Sequence, residues 1–579
     1  MKRADVKKML EKTHPDEEMF TDRTDEMMEK LSEEKIKRIK ENGLKKIRDA
    51  QTGEMQEDEF IRADIRKISK KRRVFPFAAA ACLLAGIIAV PVMLNLNKNV
   101  PGDITDNSCS DKNTASTDVT EQAELLSFEE LSSRNEESRF YEFNRDTNEY
   151  EQVNLYYEYD TEINSWSVES AAYELAEHLA EKYALESWRD GLELLKKCGY
   201  DIYLTTDRDV QAHLDGTFAD WTYFPESLSD AYEYSDEERM INGAFVVMDY
   251  YGHILGVEGG IGKKTNFGCN AAYDTSRSQG SLLKQLAVYG YALENDIITY
   301  SSLIADKPLA PGVADTDVWP MNYDGYPSGG IYPAFYSFKQ SINAVPAKLI
   351  YNNGNNLLSE IMNFSTERLH LQIDKEADLN YDAFVLGYTK SGPSIVNFAN
   401  AYMPYGNGGK YYKASIISKC VDPVSGKVII DNENCEGEQA VSEDTAYIMN
   451  KLLQMTVSEG ISTSAQIGGV SLAATSGTDG SWKNREFVGL TPDTVSVLWA
   501  GYPIGQNTRA IDSANSARIW KNVYGSYVRE NTSDASFPET DNVVYARYCS
   551  ETGLCANENC PGDKYGWYKK SNCPYCNEH

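Results

Sequence analysis

An uncharged apolar run near the N-terminus divides this 579-residue chain into two unequal parts. Residues 74–94 read VFPFAAAACLLAGIIAVPVML, and about 20 apolar residues are enough to cross a membrane as a helix. Six basic residues come directly before the run, whereas Lys98 is the basic residue that follows it most closely. Because basic residues stay on the cytoplasmic side, we expect a single-pass cell-membrane protein with a cytoplasmic N-terminus and an extracytoplasmic main domain.

Charge is distributed unevenly about that run. Residues 1–73 hold 21 Lys and Arg against 18 Asp and Glu, so nearly all of the net charge of −31 belongs to the remainder of the chain. Proteins that bind nucleic acids need a basic surface that neutralises phosphates. The acidic main part therefore excludes nucleic acid as a partner, and we interpret its charge as promoting solubility.

Composition and periodicity predict six segments. They are a cytoplasmic helical region (1–73), a transmembrane helix (74–94), an extracytoplasmic linker (95–165), a pedestal subdomain (166–243), a catalytic-type domain (244–530) and a Cys-rich tail (531–579). The linker is predicted because its sequence is rich in Asp, Ser, Thr, Asn and Glu. The cytoplasmic region is either a solvated helical tail or a docking element for a cytoplasmic partner.

Ten of the eleven cysteines lie beyond the apolar run, in a compartment that favours disulfides. Cys420 and Cys435 flank a predicted hairpin and are a candidate bridge. Five more cysteines crowd the tail, where Cys573-Pro-Tyr-Cys576 near His579 is also compatible with a zinc or redox motif. The compartment favours disulfides over that alternative.

Strand and helix patterns alternate along the main part in an order that predicts an α+β fold. Residues 244–260 (AFVVMDYYGHILGVEGG) predict a hairpin, and residues 471–503 predict further strands, with Val495, Val497 and Trp499 alternating with other residues. The sequence between 279 and 455 is largely helical in character. This order predicts a sheet that joins distant segments of the chain.

Three short motifs carry the candidate chemistry. Ser281 and Lys284 are one helical turn apart, and an amine that has lost its proton can activate a serine nucleophile. Ser341-Ile-Asn343 follows sixty residues later, and Thr475-Ser476-Gly477-Thr478 comes 134 residues after Ser341. Each motif alone is weak, and none of them calls for a metal or a cofactor.

In this order the motifs resemble the Ser-x-x-Lys, Ser-x-Asn and Lys-Thr-Gly series of penicillin-binding proteins and β-lactamases. Residues 194–579 resemble the transpeptidase part of class A penicillin-binding proteins, in stretches such as FVVMDYYGHILGVEGG, QSINAVPAKL and FVGLTPDTVSVLWAGYP. The resemblance implies a penicillin-binding/β-lactamase-like fold, an antiparallel sheet flanked by helices with a helical subdomain. The 70 residues before Trp166 are too few for a glycosyltransferase domain, so glycan polymerisation is not predicted.

The resemblance also implies roles for the motif residues. Ser281 would form an acyl-enzyme with D-Ala-D-Ala stem peptides of peptidoglycan or with β-lactams, and Lys284 would take its proton. Ser341 would relay a proton, and Asn343 would hold the acyl side chain. Backbone N–H groups of Ser281 and Thr478 would form the oxyanion hole. The hydroxyls of Ser476 and Thr478 would bind the substrate carboxylate.

Two departures from the family motifs concern this pocket. Thr475 stands where the family has lysine, and the first motif reads SLLKQ where the family has Ser-x-Phe-Lys-Pro. We therefore expect an acyl-serine pocket with weakened anion recognition. Three functions remain open: a serine-type D,D-transpeptidase or carboxypeptidase, a β-lactam or wall-fragment sensor that signals through the cytoplasmic region, and a catalytically silent scaffold of cell-wall assembly.

Overall fold

The computed structural model describes eleven stretches of the chain. They are residues 126–144, 147–225, 240–273, 277–309, 318–354, 356–390, 392–433, 435–479, 483–502, 515–533 and 535–579. All of them belong to one compact unit, Val119–His579. The predicted cytoplasmic region, the apolar run 74–94 and the first part of the linker lie outside the described residues. Within the described stretches, none of the helices is both long and apolar enough to span a membrane.

Helices and strands are numbered here in chain order. The helices are α1 Phe128–Ser132, α2 Trp166–Lys182, α3 Trp188–Cys198, α4 Arg208–Phe218, α5 Ser281–Leu283 with its continuation through Lys284–Tyr289 and Gly290–Glu294, α6 Ala334–Lys339, α7 Ala344–Asn352, α8 Asn356–Asn363, α9 Ile395–Tyr402, α10 Glu443–Glu459 and α11 Ser516–Asn531. The strands are β1 Arg139–Asn144, β2 Glu149–Val153, β3 Asp201–Asp207, β4 Asn242–Asp249, β5 Ile254–Glu258, β6 Leu303–Ala305, β7 Ile331–Pro333, β8 Lys410–Tyr411, β9 Ile417–Asp422, β10 Lys427–Asp431, β11 Glu438–Gln439, β12 Ala473–Thr478, β13 Asn484–Leu490, β14 Thr494–Gly501, β15 Val543–Arg547 and β16 Tyr565–Lys569.

The central sheet has the strand order β12-β13-β14-β4-β5, and every neighbouring pair is antiparallel. The hairpin predicted for residues 244–260 is confirmed as β4 and β5, and the strands predicted beyond residue 471 are also confirmed. Strands from the two ends of this segment meet where β14 pairs with β4 along its whole length. The α+β fold predicted from the element order is therefore confirmed.

Both faces of the central sheet are covered by helices. Phe245, Phe487 and Leu498 share a buried cluster with Trp520 of α11. Val246, Val488 and Val497 belong to the larger core, which also contains α5, α9 and α10. Because alternate residues of a strand point to opposite faces, the nearly continuous apolar composition of β4 and β14 follows from burial on both sides.

A second sheet has the order β10-β9-β3-β1-β2. It corrects the predicted linker, because residues 126–165 contain α1, β1 and β2, and β1 pairs in parallel with β3. Phe140 is the one fully buried residue of β1 and β2. Strands that bury so little apolar surface look like a polar linker in sequence. The sheet also extends the predicted pedestal, since β9 and β10 come from a much later part of the chain.

The disulfides differ from those predicted. Cys420 and Cys435 are both free, because Cys420 points from β9 into the core while Cys435 is exposed beyond the end of β10. In the tail, Cys555 and Cys573 form a disulfide with a Cα–Cα distance of 5.9 Å. The prediction of disulfide bonding in the tail is therefore confirmed for this pair.

Candidate active site

Ser281 is the first residue of α5, and its position is fixed by contact with the edge of the central sheet. Gly280, directly before it, has a φ of +58°. A Cβ atom at Gly280 would lie 2.3 Å from the Thr478 carbonyl oxygen and 2.7 Å from the Thr478 nitrogen. Glycine is required here by both the positive φ and the close approach. The helix start that carries Ser281 therefore touches the backbone of β12.

Strand β12 is an edge strand, so its outer side offers unpaired backbone groups. Asp479 donates its N–H to Asn484 of β13. Because antiparallel pairs alternate in the direction of their hydrogen bonds, the N–H and C=O of Thr478 point away from β13, toward Gly280. Within β12, Thr475 and Gly477 are buried, whereas Ser476 and Thr478 are half-exposed. The close contact is continued at Gly477, where a Cβ would lie 2.3 Å from the Gln279 carbonyl oxygen.

Lys284 follows Ser281 by one helical turn, and its side chain is completely buried. Its Nζ donates hydrogen bonds to the Ser341 carbonyl oxygen, at 2.8 Å, and to Asn343 Oδ1. Burial lowers the pKa of Lys284 to about 7, because a low-dielectric environment disfavours the charged amine. Among the described residues, no charged neighbour contributes to this shift. A buried amine that can be neutral near pH 7 is suited to accept a proton.

Wider turns carry the α5 helix past Lys284, over Lys284–Tyr289. Two buried tyrosines from the α9 region brace this stretch: Tyr402 donates to the Leu282 carbonyl and Tyr405 to the Leu286 carbonyl, both at 2.8 Å. Such turns are often found at functional sites. Here they run through the segment that holds the buried amine.

Ser341 and Asn343 lie in the turn between α6 and α7. Ser341 has a φ of +55°, a conformation that costs free energy for a residue other than glycine and that is concentrated at functional sites. Its carbonyl accepts from Lys284, while its Oγ is buried without a hydrogen-bond partner among the described residues.

Asn343 is held on both sides of its amide. Its Nδ2 donates to the Met321 carbonyl at 2.7 Å, its backbone N–H donates to Asn322 Oδ1 at 2.9 Å, and Oδ1 accepts from Lys284. Asn322 is itself fixed by a hydrogen bond to Asp306. One amide hydrogen of Asn343 is thus already bonded to the protein.

Thr475 faces the helix of Ser281 and Lys284. The residue is completely buried, and its Oγ1 donates to Gln285 Oε1 at 2.5 Å. Gln285 in turn donates through Nε2 to the Phe338 carbonyl at 3.1 Å. The two residues that depart from the family motifs therefore bond to each other. A neutral hydroxyl–amide pair occupies this corner of the site.

Other basic residues near β12 have different positions. Lys483 is exposed, and its backbone N–H donates to Asp479. Arg277 stacks over Trp499, with 3.5 Å between its guanidinium carbon and the ring centroid. Burial lowers the pKa of Arg277 to about 10, so it remains charged at neutral pH. Across the strand from Gly477, burial raises the pKa of Glu486 to about 8, although Arg277 opposes that rise.

The structure thus brings the Ser281 helix, the Ser341–Asn343 turn and the Thr475–Thr478 edge into one region. Sequence analysis missed three residues that shape it: Gln285, Met321 and Asn322. Gln285 had a signal in the sequence, because it lies four residues after Ser281 on the same helix face. Met321 and Asn322 had none, since they act through a loop contact between distant segments.

Comparison with known proteins was made on the whole chain. Residues 243–525 match the family model described as penicillin binding protein transpeptidase domain. The chain is similar to penicillin-binding protein 1A of Clostridium botulinum strain Langeland (27% identity over 338 residues, 57% of this chain and 39% of the relative). It is also similar to penicillin-binding protein 1A of Clostridium acetobutylicum (30% over 340 residues, 56% of this chain and 40% of the relative).

Among solved structures, the chain is similar in fold to PonA1 from Mycobacterium tuberculosis in complex with penicillin V. The TM-score is 0.51, with 18% identity over 65% of this chain and 96% of that one. The chain spans about two-fifths of the length of the two curated relatives. The similarity therefore concerns one domain of those longer proteins.

Proposed function

Because residues 243–525 are a penicillin-binding protein transpeptidase domain, we propose that this protein acts on peptidoglycan stem peptides and binds β-lactams by acylation of Ser281. The observation that carries the proposal is the buried Lys284 amine. It lies one turn after Ser281, its pKa is about 7, and it is bonded to both residues of the Ser341–Asn343 motif.

In the proposed acylation, Ser281 Oγ attacks the carbonyl carbon of the penultimate D-Ala of a stem peptide, or that of a β-lactam ring. Lys284 accepts the hydroxyl proton. The C–N bond of the amide then breaks, and the departing nitrogen receives a proton through the Ser341 hydroxyl. The buried Ser341 Oγ, which has no partner among the described residues, is available for that relay. Attack by a second amine, or by water, releases the acyl group.

The oxyanion that develops during attack would be bound by the N–H groups of Ser281 and Thr478. Support comes from the close contact of Gly280 with Thr478 and from the outward direction of the Thr478 N–H. Donors fixed in advance by a helix start and a sheet edge cost no reorganisation when the charge appears. This arrangement typically contributes about 3 kcal/mol per donor to the transition state.

Anion recognition is the property that we expect to be weakened. In this proposal Ser476 and Thr478 bind the substrate carboxylate without the lysine that the family has at position 475. A hydrogen bond to a charged group contributes roughly 1.5–3 kcal/mol, which corresponds to about 10- to 150-fold in binding or rate. The neutral Thr475–Gln285 pair therefore favours slow acylation, while the Lys284 corner keeps the reaction possible.

The same neutral pair supports a second candidate, a β-lactam or wall-fragment sensor that acylates and turns over slowly. In that case the predicted cytoplasmic region 1–73 would report binding across the predicted span 74–94. Protease added to intact protoplasts should then remove the mass beyond residue 95. Survival of that mass would contradict the proposed orientation for both candidates.

Two assays on the full chain separate the candidates. Labelling by a fluorescent penicillin reports acylation, and release of D-Ala from a stem pentapeptide reports turnover. An enzyme gives both signals, and a sensor gives labelling with D-Ala release near background. Absence of labelling in the folded protein contradicts both and leaves the scaffold function. Ser458→Ala, an exposed serine on α10, is the matched control for Ser281→Ala.

A further inference from the structure

Three buried cysteines of the tail converge on one point. The Sγ atoms of Cys549, Cys560 and Cys576 all lie within 4.8 Å of one another. All three residues are at most 5% exposed. They come from three separate loops, because 10 residues separate the first two and 15 separate the last two. Convergence of three thiols from distant loops is typical of a metal-binding group rather than of chance packing.

The neighbouring disulfide leaves these three residues without a complete pairing. Cys555 and Cys573 are bonded to each other, so the tail cysteines that remain are odd in number. A bridge between any two of the three would leave the third thiol buried beside it. One trivalent group of thiolates uses all three, which a disulfide cannot do.

Contacts that do not involve bonds between the sulfur atoms hold the three loops in place. The Cys576 N–H donates to the Cys555 carbonyl at 2.8 Å, so the disulfide-bonded Cys555 also fixes the Cys576 loop. Asn557 Nδ2 donates to the Cys576 carbonyl at 2.9 Å. Arg547 donates to the carbonyls of Asn557 and Cys560. The positions of the sulfur atoms are therefore determined by the backbone around them.

Backbone N–H groups also point at the sulfur atoms. Asn557 donates its N–H to Cys560 Sγ at 3.3 Å, and Cys549 accepts from the N–H groups of Glu551 and Thr552. Such donors stabilise a thiolate, the form of cysteine that binds metals. The loops thus provide both the geometry and the polar surroundings of a thiolate site.

We propose that Cys549, Cys560 and Cys576 bind one zinc ion as thiolate ligands and so close the C-terminal tail. Zn–S bonds of about 2.3 Å place tetrahedral sulfur ligands roughly 3.8 Å apart, which is compatible with the observed cluster. His579 stands outside the cluster, because its Nε2 lies 3.5 Å from Glu551 Oε2. Cys573 is excluded as a ligand by its disulfide. This site does not depend on the proposed function of Ser281.

The first test is the zinc content of the full chain, purified without chelator or reductant. We expect about one zinc per chain, and Cys549→Ser, Cys560→Ser and Cys576→Ser should each lower that content at least fivefold. Cys435→Ser, an exposed free cysteine, is the matched control and should keep the metal. Retention of zinc by all three variants, or its absence from the unaltered chain after zinc is added, would overturn the proposal.

The second test does not rely on variants that fold. The unaltered chain is denatured with a chelator, and its thiols are alkylated without reduction. Mapping by mass spectrometry should find Cys549, Cys560 and Cys576 alkylated and Cys555 and Cys573 unmodified. A disulfide between any two of the three would contradict the proposal. Replacement of zinc by Cd²⁺ should give a thiolate charge-transfer band that is absent in the Cys560→Ser chain.

Discussion

Two corners of the candidate active site face each other across one helix, and they differ in charge. Lys284 and Thr475 are both completely buried. Lys284 carries a titratable amine held by two acceptors, while Thr475 carries a neutral hydroxyl bonded to the side chain of Gln285. Gln285 directly follows Lys284, so one helical segment supplies the amine of the first corner and the neutral partner of the second.

The difference shows what a buried cation requires. An amine in the interior is stable only if acceptors replace the water that it loses, and the Ser341 carbonyl and Asn343 Oδ1 do so for Lys284. The Thr475 corner has one amide acceptor, which the hydroxyl already uses. The protein therefore keeps the group that moves a proton and replaces the group that adds positive potential. We interpret this as a site in which acylation chemistry is retained and anion recognition is reduced.

The largest effect is expected from removal of the retained corner. Lys284→Met fills a similar volume without a base, and loss of a general base typically costs about 10²- to 10⁴-fold in rate. We therefore expect the rate of acylation by a penicillin to fall by roughly a thousandfold, measured by stopped labelling. Lys339→Met, which removes a lysine paired with Glu459, is the control. An unchanged rate in Lys284→Met would show that the two corners do not differ in the way described.

Much of this comparison could be predicted from sequence, and part of it could not. The motif order was sufficient to name Ser281, Lys284 and Thr475, because spacing along a helix and a strand fixes which face each residue takes. The hydrogen bond between Thr475 and Gln285 joins residues 190 positions apart. Neither side chain indicates alone that it will bond to the other.

Other features escaped sequence analysis for similar physical reasons. The left-handed backbone of Ser341 depends on the tertiary contact with Lys284, and no local preference of serine predicts it. Strands β1 and β2 bury little besides Phe140, so their alternation is weak. The partners of the tail cysteines depend on how three loops fold together, which spacing does not determine.

The next largest effect should come from restoring charge at the altered corner. Thr475→Lys should raise the rate of β-lactam acylation by roughly 10- to 100-fold, because one charge-assisted contact to the carboxylate returns. The position is fully buried, so Gln285→Ala combined with Thr475→Lys provides room and should show at least the same gain. Thr475→Met is the control of similar length without charge. A gain with methionine as large as that with lysine would contradict the electrostatic explanation.

A smaller effect, about tenfold, is expected from pH. The pKa of Lys284 is lowered to about 7 by burial, so below pH 7 the amine is protonated and cannot accept the Ser281 proton. The acylation rate should therefore rise as pH increases from about 6 to about 8 and then level off. Lys284→Met should lose this slope. A rate that falls over the same range in the unaltered protein would be inconsistent with Lys284 as the base.

The central claim is that the retained corner still performs acylation at Ser281. Its most direct test is intact-mass and peptide mass spectrometry of the full chain after incubation with benzylpenicillin. We predict a mass increase of one penicilloyl group per chain, located on Ser281, with no increase in Ser281→Ala and an unchanged increase in Ser458→Ala. Absence of the adduct from the folded protein, or its location on another residue, would contradict the account.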